Sequence, residues 1–271
     1  MRLLFLGDIV GRSGREAVLK GLPRWREELR LDAVVVNAEN ASHGFGLSPQ
    51  IARDLLEGGV DAITLGNHTW DRRDLIGQID QFPQVVRPAN YPAGTPGQGG
   101  CVVEVSRGRK ILVVNVMGRV FMDALDDPFR AVENILSQHR LGVSVHAIVL
   151  DVHAETTSEK MGFGHLFDGR VSLVVGTHTH IPTADHRILP NGTAYQTDAG
   201  MCGDYDSVIG MEKNNAVRRL LKKVPTERFQ PAMGTASVCG LMVETDDKTG
   251  LAVKVCPFRQ GGELSAYMPD F

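Results

Sequence analysis

The 271-residue chain lacks the marks of several protein classes. Its four cysteines, Cys101, Cys202, Cys239 and Cys256, form no C-x-x-C pair and no short framework of the kind that staples small secreted domains. Reduced core thiols and a cytoplasmic setting are therefore expected. No run approaches the roughly 18 to 20 apolar residues of a membrane span. The apolar opening Leu3-Leu4-Phe5-Leu6 is cut by Gly7-Asp8, well short of a signal-peptide core. A basic excess is missing too, since 29 Lys and Arg against 32 Asp and Glu leave a formal charge of −3. A constitutive binder of long nucleic acid needs a clustered cationic face. Neither a membrane nor a stable long nucleic-acid partner is expected, whereas a small phosphorylated ligand stays open. Residues 7–14 have neither the Lys-Ser/Thr of a P-loop nor the G-x-G-x-x-G spacing of a dinucleotide fold. There is no internal repeat. A composition of 42% hydrophobic and 23% charged residues excludes disordered and fibrous classes. One domain spanning 1–271 is the expectation.

What is present is a series of short apolar runs, at residues 3–6, 33–36, 61–65, 147–150 and 171–175, which read as buried strands. Helical stretches follow most of them: one to about residue 20, a second opened by Pro23 and running to Arg30, and one capped by Ser48. Others are expected over 72–79, 128–140 and 155–161. Residues 101–105 with 111–116, 187–189 with 193–196 across Asn191-Gly192, and 237–243 with 251–255 read as hairpins. Residues 81–100, with four prolines and four glycines, read as a turn-rich connection. Residues 197–213 read as a loop over the site, and 213–223 as a basic helix with a solvated face. That helix and the late hairpins offer an interface for a homo-oligomer. Strand-helix units followed by hairpins predict an α/β fold of two packed sheets with helices outside.

The apolar runs end in Asp8, in Glu39-Asn40, in Asn67-His68, in His153, and in His178 with His180. Residues two apart in an extended segment point the same way, roughly 6 to 7 Å apart, so His178 and His180 are expected to face one spot. Polar residues cap buried strands routinely. Yet ligand sites of open α/β sheets lie outside the carboxyl ends of the strands, and these ends supply only carboxylate, amide and imidazole. That set suits a pair of borderline divalent cations such as Fe, Mn or Zn, whereas Mg or Ca favours oxygen alone. Two such ions grip the attacking and leaving oxygens of a phosphoryl displacement and lower the pKa of a bound water. Two dications against Asp8 and Glu39 leave about +2 to attract a phosphate. The chemistry indicated is hydrolysis at phosphorus.

In order, Gly7-Asp8, Gly66-Asn67-His68, a lone His153 after a strand, and Gly176-Thr177-His178-Thr179-His180 resemble the calcineurin-like metallophosphoesterases. More closely, Gly7-Asp8-Ile9-Val10-Gly11, Asn37-Ala38-Glu39-Asn40 and Gly66-Asn67-His68-Thr69-Trp70 resemble the YmdB-type branch, phosphodiesterases acting on cyclic nucleotides. The resemblance covers essentially the whole chain. It implies a four-layer αββα sandwich of two mixed β-sheets flanked by helices, with a binuclear site at one edge of the sheets. It also implies two divalent metal ions, Fe or Mn with Zn as a further option. The implied reaction is metal-activated hydroxide attack on a cyclic nucleotide of the 2′,3′-cyclic AMP type. Carried over, Glu39 would bridge the ions, with Asp8, His180 and Asn40 at the first and Asn67, His153 and His178 at the second. His68 would contact the phosphate and protonate the leaving oxygen.

Three departures stand out. Val10 occupies the place of the histidine in the superfamily's Asp-x-His, Glu39 replaces a bridging aspartate, and Thr69 stands where an acid often follows Gly-Asn-His. Asp71 is then open to orienting His68 or to serving as a helix N-terminal acid. Phe45 and Trp70 are candidate stacking surfaces for the base, against the ordinary reading of aromatic packing. Arg12 is a candidate contact for a phosphate oxygen or a solvated helix residue. His43 is open between solvent and substrate, and His139, His146, His165 and His186 read as structural. Alternatives are a phosphomonoesterase or nuclease with the same site, or a regulatory nucleotide-binding module degraded at Val10.

Overall fold

The computed structural model describes residues 1–222 and 227–270. Strands β1 (Arg2–Leu6), β2 (Asp8–Ile9), β3 (Ala33–Asn37), β4 (Ala62–Thr64) and β5 (Val85–Val86) join β12 (Met201–Asp204), β13 (Ala236–Thr245) and β14 (Ala252–Gln260) in one sheet. The second sheet holds β6 (Gly100–Val105), β7 (Arg109–Met117), β8 (Ala147–His153), β9 (Leu173–Thr177), β10 (Arg187–Ile188) and β11 (Ala194–Gln196). The helices are α1 (Gly11–Glu28), α2 (Pro49–Glu57), α3 (Arg73–Ile76), α4 (Pro128–Leu136), α5 (Thr157–Leu166) and α6 (Lys213–Lys222). Both sheets are mixed. β1, β3, β4 and β5 run parallel, with β13 antiparallel to β1. β7, β8, β9 and β11 run parallel, with β6 and β10 antiparallel at the edges.

Strand alternation sorts the apolar side chains into layers. Leu4, Leu6, Val34 and Val36 pack against Val18, Leu22 and Trp25 of α1 and Leu55 of α2. Their neighbours Leu3, Phe5, Ala33 and Val35 face inward to Val113, Val149 and Val175 of the other sheet. Leu112, Val114, Leu150 and Val174 turn outward onto Val132 of α4 and Phe163 of α5. The layers thus run helix, sheet, sheet, helix, as the resemblance implies. No helix among the described residues is long and apolar enough to cross a membrane.

Several local expectations are corrected. The break at Pro23 does not occur, and α1 is one helix with Pro23 inside it. Val18, Leu22 and Trp25 anchor it to the sheet on both sides of the proline, and that packing outweighs a penalty of about 3 kcal/mol. α3 is only four residues long, closed by Gly77 and followed by a 3₁₀ turn at Ile79–Gln81. α4 opens on an Asp127 cap that accepts from the Phe129 and Arg130 amides, and stops at Leu136. The turn-rich 81–100 segment contains β5, and the expected loop 197–213 contains the fully buried β12. Lys223, the expected end of the basic helix, lies outside the described residues.

At the β1–β2 junction the chain passes through Gly7, where a Cβ would overlap the Gly200 carbonyl oxygen. Only glycine admits that approach. It lets Asp8 pair with Met201 of β12 while β1 stays paired with β13.

Candidate metal centre

The parallel strands deliver their polar tips to one place, as strand topology requires. Asp8, Glu39 and His180 offer ligand atoms that lie within 4.8 Å of one another, and Glu39, His153 and His178 form a second trio at the same spacing. Glu39 belongs to both. His153 Nε2 stands 3.2 Å from Glu39 Oε1, 2.9 Å from Asn67 Oδ1 and 3.1 Å from His178 Nδ1. His180 Nε2 is 4.0 Å from Asp8 Oδ1. Two backbone amides fix the carboxylates: His68 N–H donates to Glu39 Oε2 at 2.9 Å, and His178 N–H to Asp8 Oδ2 at 3.2 Å.

The donor set fits divalent cations. Asp8 Oδ1 and Asn40 Oδ1 are buried and have no hydrogen-bond partner among the described residues, which is costly unless something else satisfies them. Asn40 spends its amide hydrogens on the Gly44 carbonyl at 3.1 Å, leaving its oxygen as the available atom. Oxygen and imidazole in mixture match a borderline metal.

The electrostatics of the protein groups point the same way. Burial pushes the Asp8 carboxyl up to about 6, against the pull of His180 and His153. Burial also acts to raise Glu39, but the charge and hydrogen bond of His153, followed by His68, hold it at about 2. Burial alone would lower His153, yet Glu39 carries it to about 9. Burial, reinforced by the charge of His153, lowers His178 to about 3. The carboxylates thus draw a proton onto His153, and an entering cation would take the place of that charge.

His178 and His180 do not share a strand face as expected. β9 ends at Thr177, and the two histidines enter a turn with φ of 93° and 67°. That left-handed backbone costs a β-carbon residue about 1 to 3 kcal/mol and sends the imidazoles to different trios. A buried clamp holds the turn. Lys160 Nζ donates to Asp198 Oδ2 at 2.9 Å, and the same oxygen accepts from Thr179 N and Oγ1 at 3.1 and 2.6 Å. Gly176 leaves room for Lys160 and for the Thr197 carbonyl. Asp198→Ala strands the Lys160 charge in the interior and is expected to destabilise the fold by about 3 to 5 kcal/mol, read in urea unfolding. An unchanged midpoint would show that the turn stands without the clamp.

Behind His153 lies a residue to which the sequence alone assigns no role. Thr177 Oγ1 donates to Asp151 Oδ1 at 2.6 Å, so it accepts from His153 Nδ1 at 2.9 Å and leaves Nε2 directed at the centre. The other Asp151 oxygen accepts from Thr64 Oγ1 at 2.6 Å and Asn37 Nδ2 at 3.0 Å, both from the opposite sheet. Two residues before His153, Asp151 shares its strand face, and that spacing is the signal that marks it. Glu155, expected within a helix, also contacts the centre, its Oε2 lying 3.1 Å from His178 Nε2.

His68 Nδ1 lies 2.8 Å from Asp71 Oδ2, so Asp71 orients the imidazole. Phe45 meets the His68 ring edge-on, with centroids 5.0 Å apart. Phe45, His68, Glu39, Asn40, His178 and His180 line a common cavity. Trp70 and Arg12 do not line it. Trp70 turns to the Tyr91 ring 6.1 Å away, and Arg12 sits exposed on α1, paired with Glu16 at 2.6 Å. His43 is exposed on its loop. Val10 is buried against Met201 and Met211, so an apolar contact occupies the place of the superfamily's histidine.

A family model described as YmdB-like protein matches residues 4–258. A 2′,3′-cyclic-nucleotide 2′-phosphodiesterase of Bacillus subtilis (strain 168) is 44% identical over 255 residues, covering 94% of this chain and 95% of that one. The crystal structure of a hypothetical protein from Thermus thermophilus superimposes with a TM-score of 0.89 at 44% identity, covering 97% of this chain and 100% of that one. A novel phosphatase of Mycoplasma pneumoniae gives a TM-score of 0.88 at 35% identity, covering 96% and 93%.

Proposed function

The chain belongs to the YmdB-like family, and from that premise we propose that it is a binuclear metal-dependent phosphodiesterase that opens 2′,3′-cyclic nucleotides. In this reading residues 1–271 form a single domain, and the four unpaired cysteines support a cytoplasmic setting. The observation that carries the reading is one carboxylate, Glu39, shared by two ligand trios at adjoining strand ends.

Asp8, His180 and Asn40 would hold one ion, Asn67, His153 and His178 the other, and Glu39 both. Bound there, iron or manganese, with zinc as the alternative, would supply Lewis acidity toward phosphoryl oxygens and a water that is nucleophilic near neutral pH. The remaining work falls to the chain. Glu39, Asn40, His178 and His180 line one cavity with His68, so a phosphate held there would present a ribose oxygen to His68. Asp71, bonded to Nδ1, keeps that imidazole aimed and leaves Nε2 as the atom that gives the proton. As the phosphorus–oxygen bond breaks, that proton passes to the departing ribose oxygen while the oxygen of water bonds to phosphorus, and the proton that water loses replaces, through solvent, the one His68 gave.

Protein loaded with Mn or Fe is expected to hydrolyse 2′,3′-cyclic AMP, with little turnover of a nucleotide monoester or an internal oligonucleotide linkage, and to lose activity on chelation. Activity confined to monoesters, or nucleotide binding without turnover in the loaded protein, would overturn this reading.

A further inference from the structure

Next to the proposed metal ligands lies a cavity of about 380 Å³ whose far wall has no part in hydrolysis at phosphorus. That wall is apolar, formed by Phe45, Ile209, Met211, Leu220 and Phe229. Handling a phosphate calls for charge and hydrogen bonds, so a greasy wall continuous with such a site must serve another part of the ligand. The volume is at the low end of the roughly 300 to 1,000 Å³ usual for small-molecule sites, which suits a group no larger than one nucleoside.

The wall is also short of cations. Beyond the three histidines at the metal-type end, Arg219 is the one basic side chain lining the cavity among the described residues, and its guanidinium lies 4.7 Å from the centroid of the Phe229 ring. A polymer track would need a row of basic groups for successive phosphates, interleaved with stacking rings. At the mouth, Ile209 and Leu220 remain 53% and 70% exposed, apolar surface of the kind a bound ligand covers. The wall is tied to the metal-type residues as well, because the Ile209 carbonyl lies 2.8 Å from His180 Nδ1.

We propose that this cavity is a subsite for a single nucleobase, so that the enzyme selects cyclic mononucleotides over base-free cyclic phosphates and over chain ends. The proposal rests on the phosphodiesterase reading above and deepens it. Phe45 and Phe229 are the aromatic surfaces for the base, while Leu220 and Ile209 flank it at the mouth.

The test is steady-state kinetics of the metal-loaded full chain on three substrates: 2′,3′-cyclic AMP, ribose 2′,3′-cyclic phosphate without a base, and an oligonucleotide ending in a 2′,3′-cyclic phosphate. Phe229→Ala and Leu220→Asp are expected to raise KM for cyclic AMP about tenfold or more, the loss a missing stacking surface produces, with kcat nearly unchanged. Turnover of the base-free substrate should be the same in parent and variants. An equal loss on the base-free substrate, no change with cyclic AMP, or equal use of the oligonucleotide end would overturn the proposal. Calorimetry with adenosine against ribose reads the subsite without turnover. Adenosine binding weakened about tenfold by Phe229→Ala supports the subsite even where no cyclic phosphate is hydrolysed. Adenosine that does not bind, or binds both variants like the parent, removes it.

Discussion

Glu39→Gln is expected to strip metal from both trios and to lower turnover on the order of 1,000-fold or more. Outer-shell partners of a metal already cost roughly 10- to 100-fold in affinity or activity when replaced. Glu39 is common to two groups of candidate ligands, so its loss is felt twice. Gln keeps the size and one acceptor oxygen but gives up the charge. Asp8, in one trio only, provides the comparison, because Asp8→Asn should weaken one ion and leave the other. The fold itself should survive. Glu39 contributes most, ahead of Asp8 and Asp151, to lifting His153 to about 9 against the effect of burial, so with Gln present His153 holds its proton less tightly and the charge that Glu39 balanced is lost with it. Metal analysis alongside turnover of 2′,3′-cyclic AMP decides the point: unchanged metal content and rate would remove Glu39 from the bridge.

Gly66→Ala touches no ligand through its own backbone role, yet is expected to cost roughly 100-fold in turnover, the scale set by misplacing reacting groups by about 1 Å. A Cβ at Gly66 would run into His153 Nε2 and Glu39 Oε2. Neither can swing aside, since both side chains are at most 1% exposed. The added methyl forces the two trios apart at their shared edge, while overpacking of this size costs about 1 to 3 kcal/mol and leaves a folded protein. Gly77→Ala is the control, as a Cβ there meets nothing within 4 Å. Metal affinity and kcat measured on both variants settle it, and a fully active Gly66→Ala would mean that the centre has slack the packing does not show.

The strands that carry the centre are legible in the sequence because they are buried on both faces and read as unbroken apolar runs, at 33–36 and 147–150 among others. Their polar tips are legible for the same reason: a carboxylate or imidazole directly after such a run has few other places to go. β12 is not, because Met201-Cys202-Gly203-Asp204 has no periodicity, and its strand identity comes from pairing with β2 and β13. The continuous α1 hides behind Pro23, whose local preference loses to packing on both sides. Asp151 is marked in the sequence only by its two-residue spacing from His153, and its bonds to Thr64 and Asn37 of the opposite sheet and to Thr177 beside it become visible only in the fold. Arg12 and Trp70 lie close in sequence to Asp8 and His68, but side-chain direction takes them elsewhere. Leu220 and Phe229 reach the cavity from more than 170 residues beyond Phe45 in the chain, a meeting that no local pattern announces.

Asp151 takes hydrogen bonds from Thr64 and Asn37 on one side of the sandwich and from Thr177 on the other. It acts as a rivet through the two slabs, set directly beneath the imidazole of His153. Any loosening that lets the slabs slide would therefore tilt that imidazole before the outer helices lose their seats, so catalysis is the first property of the sandwich to register wear.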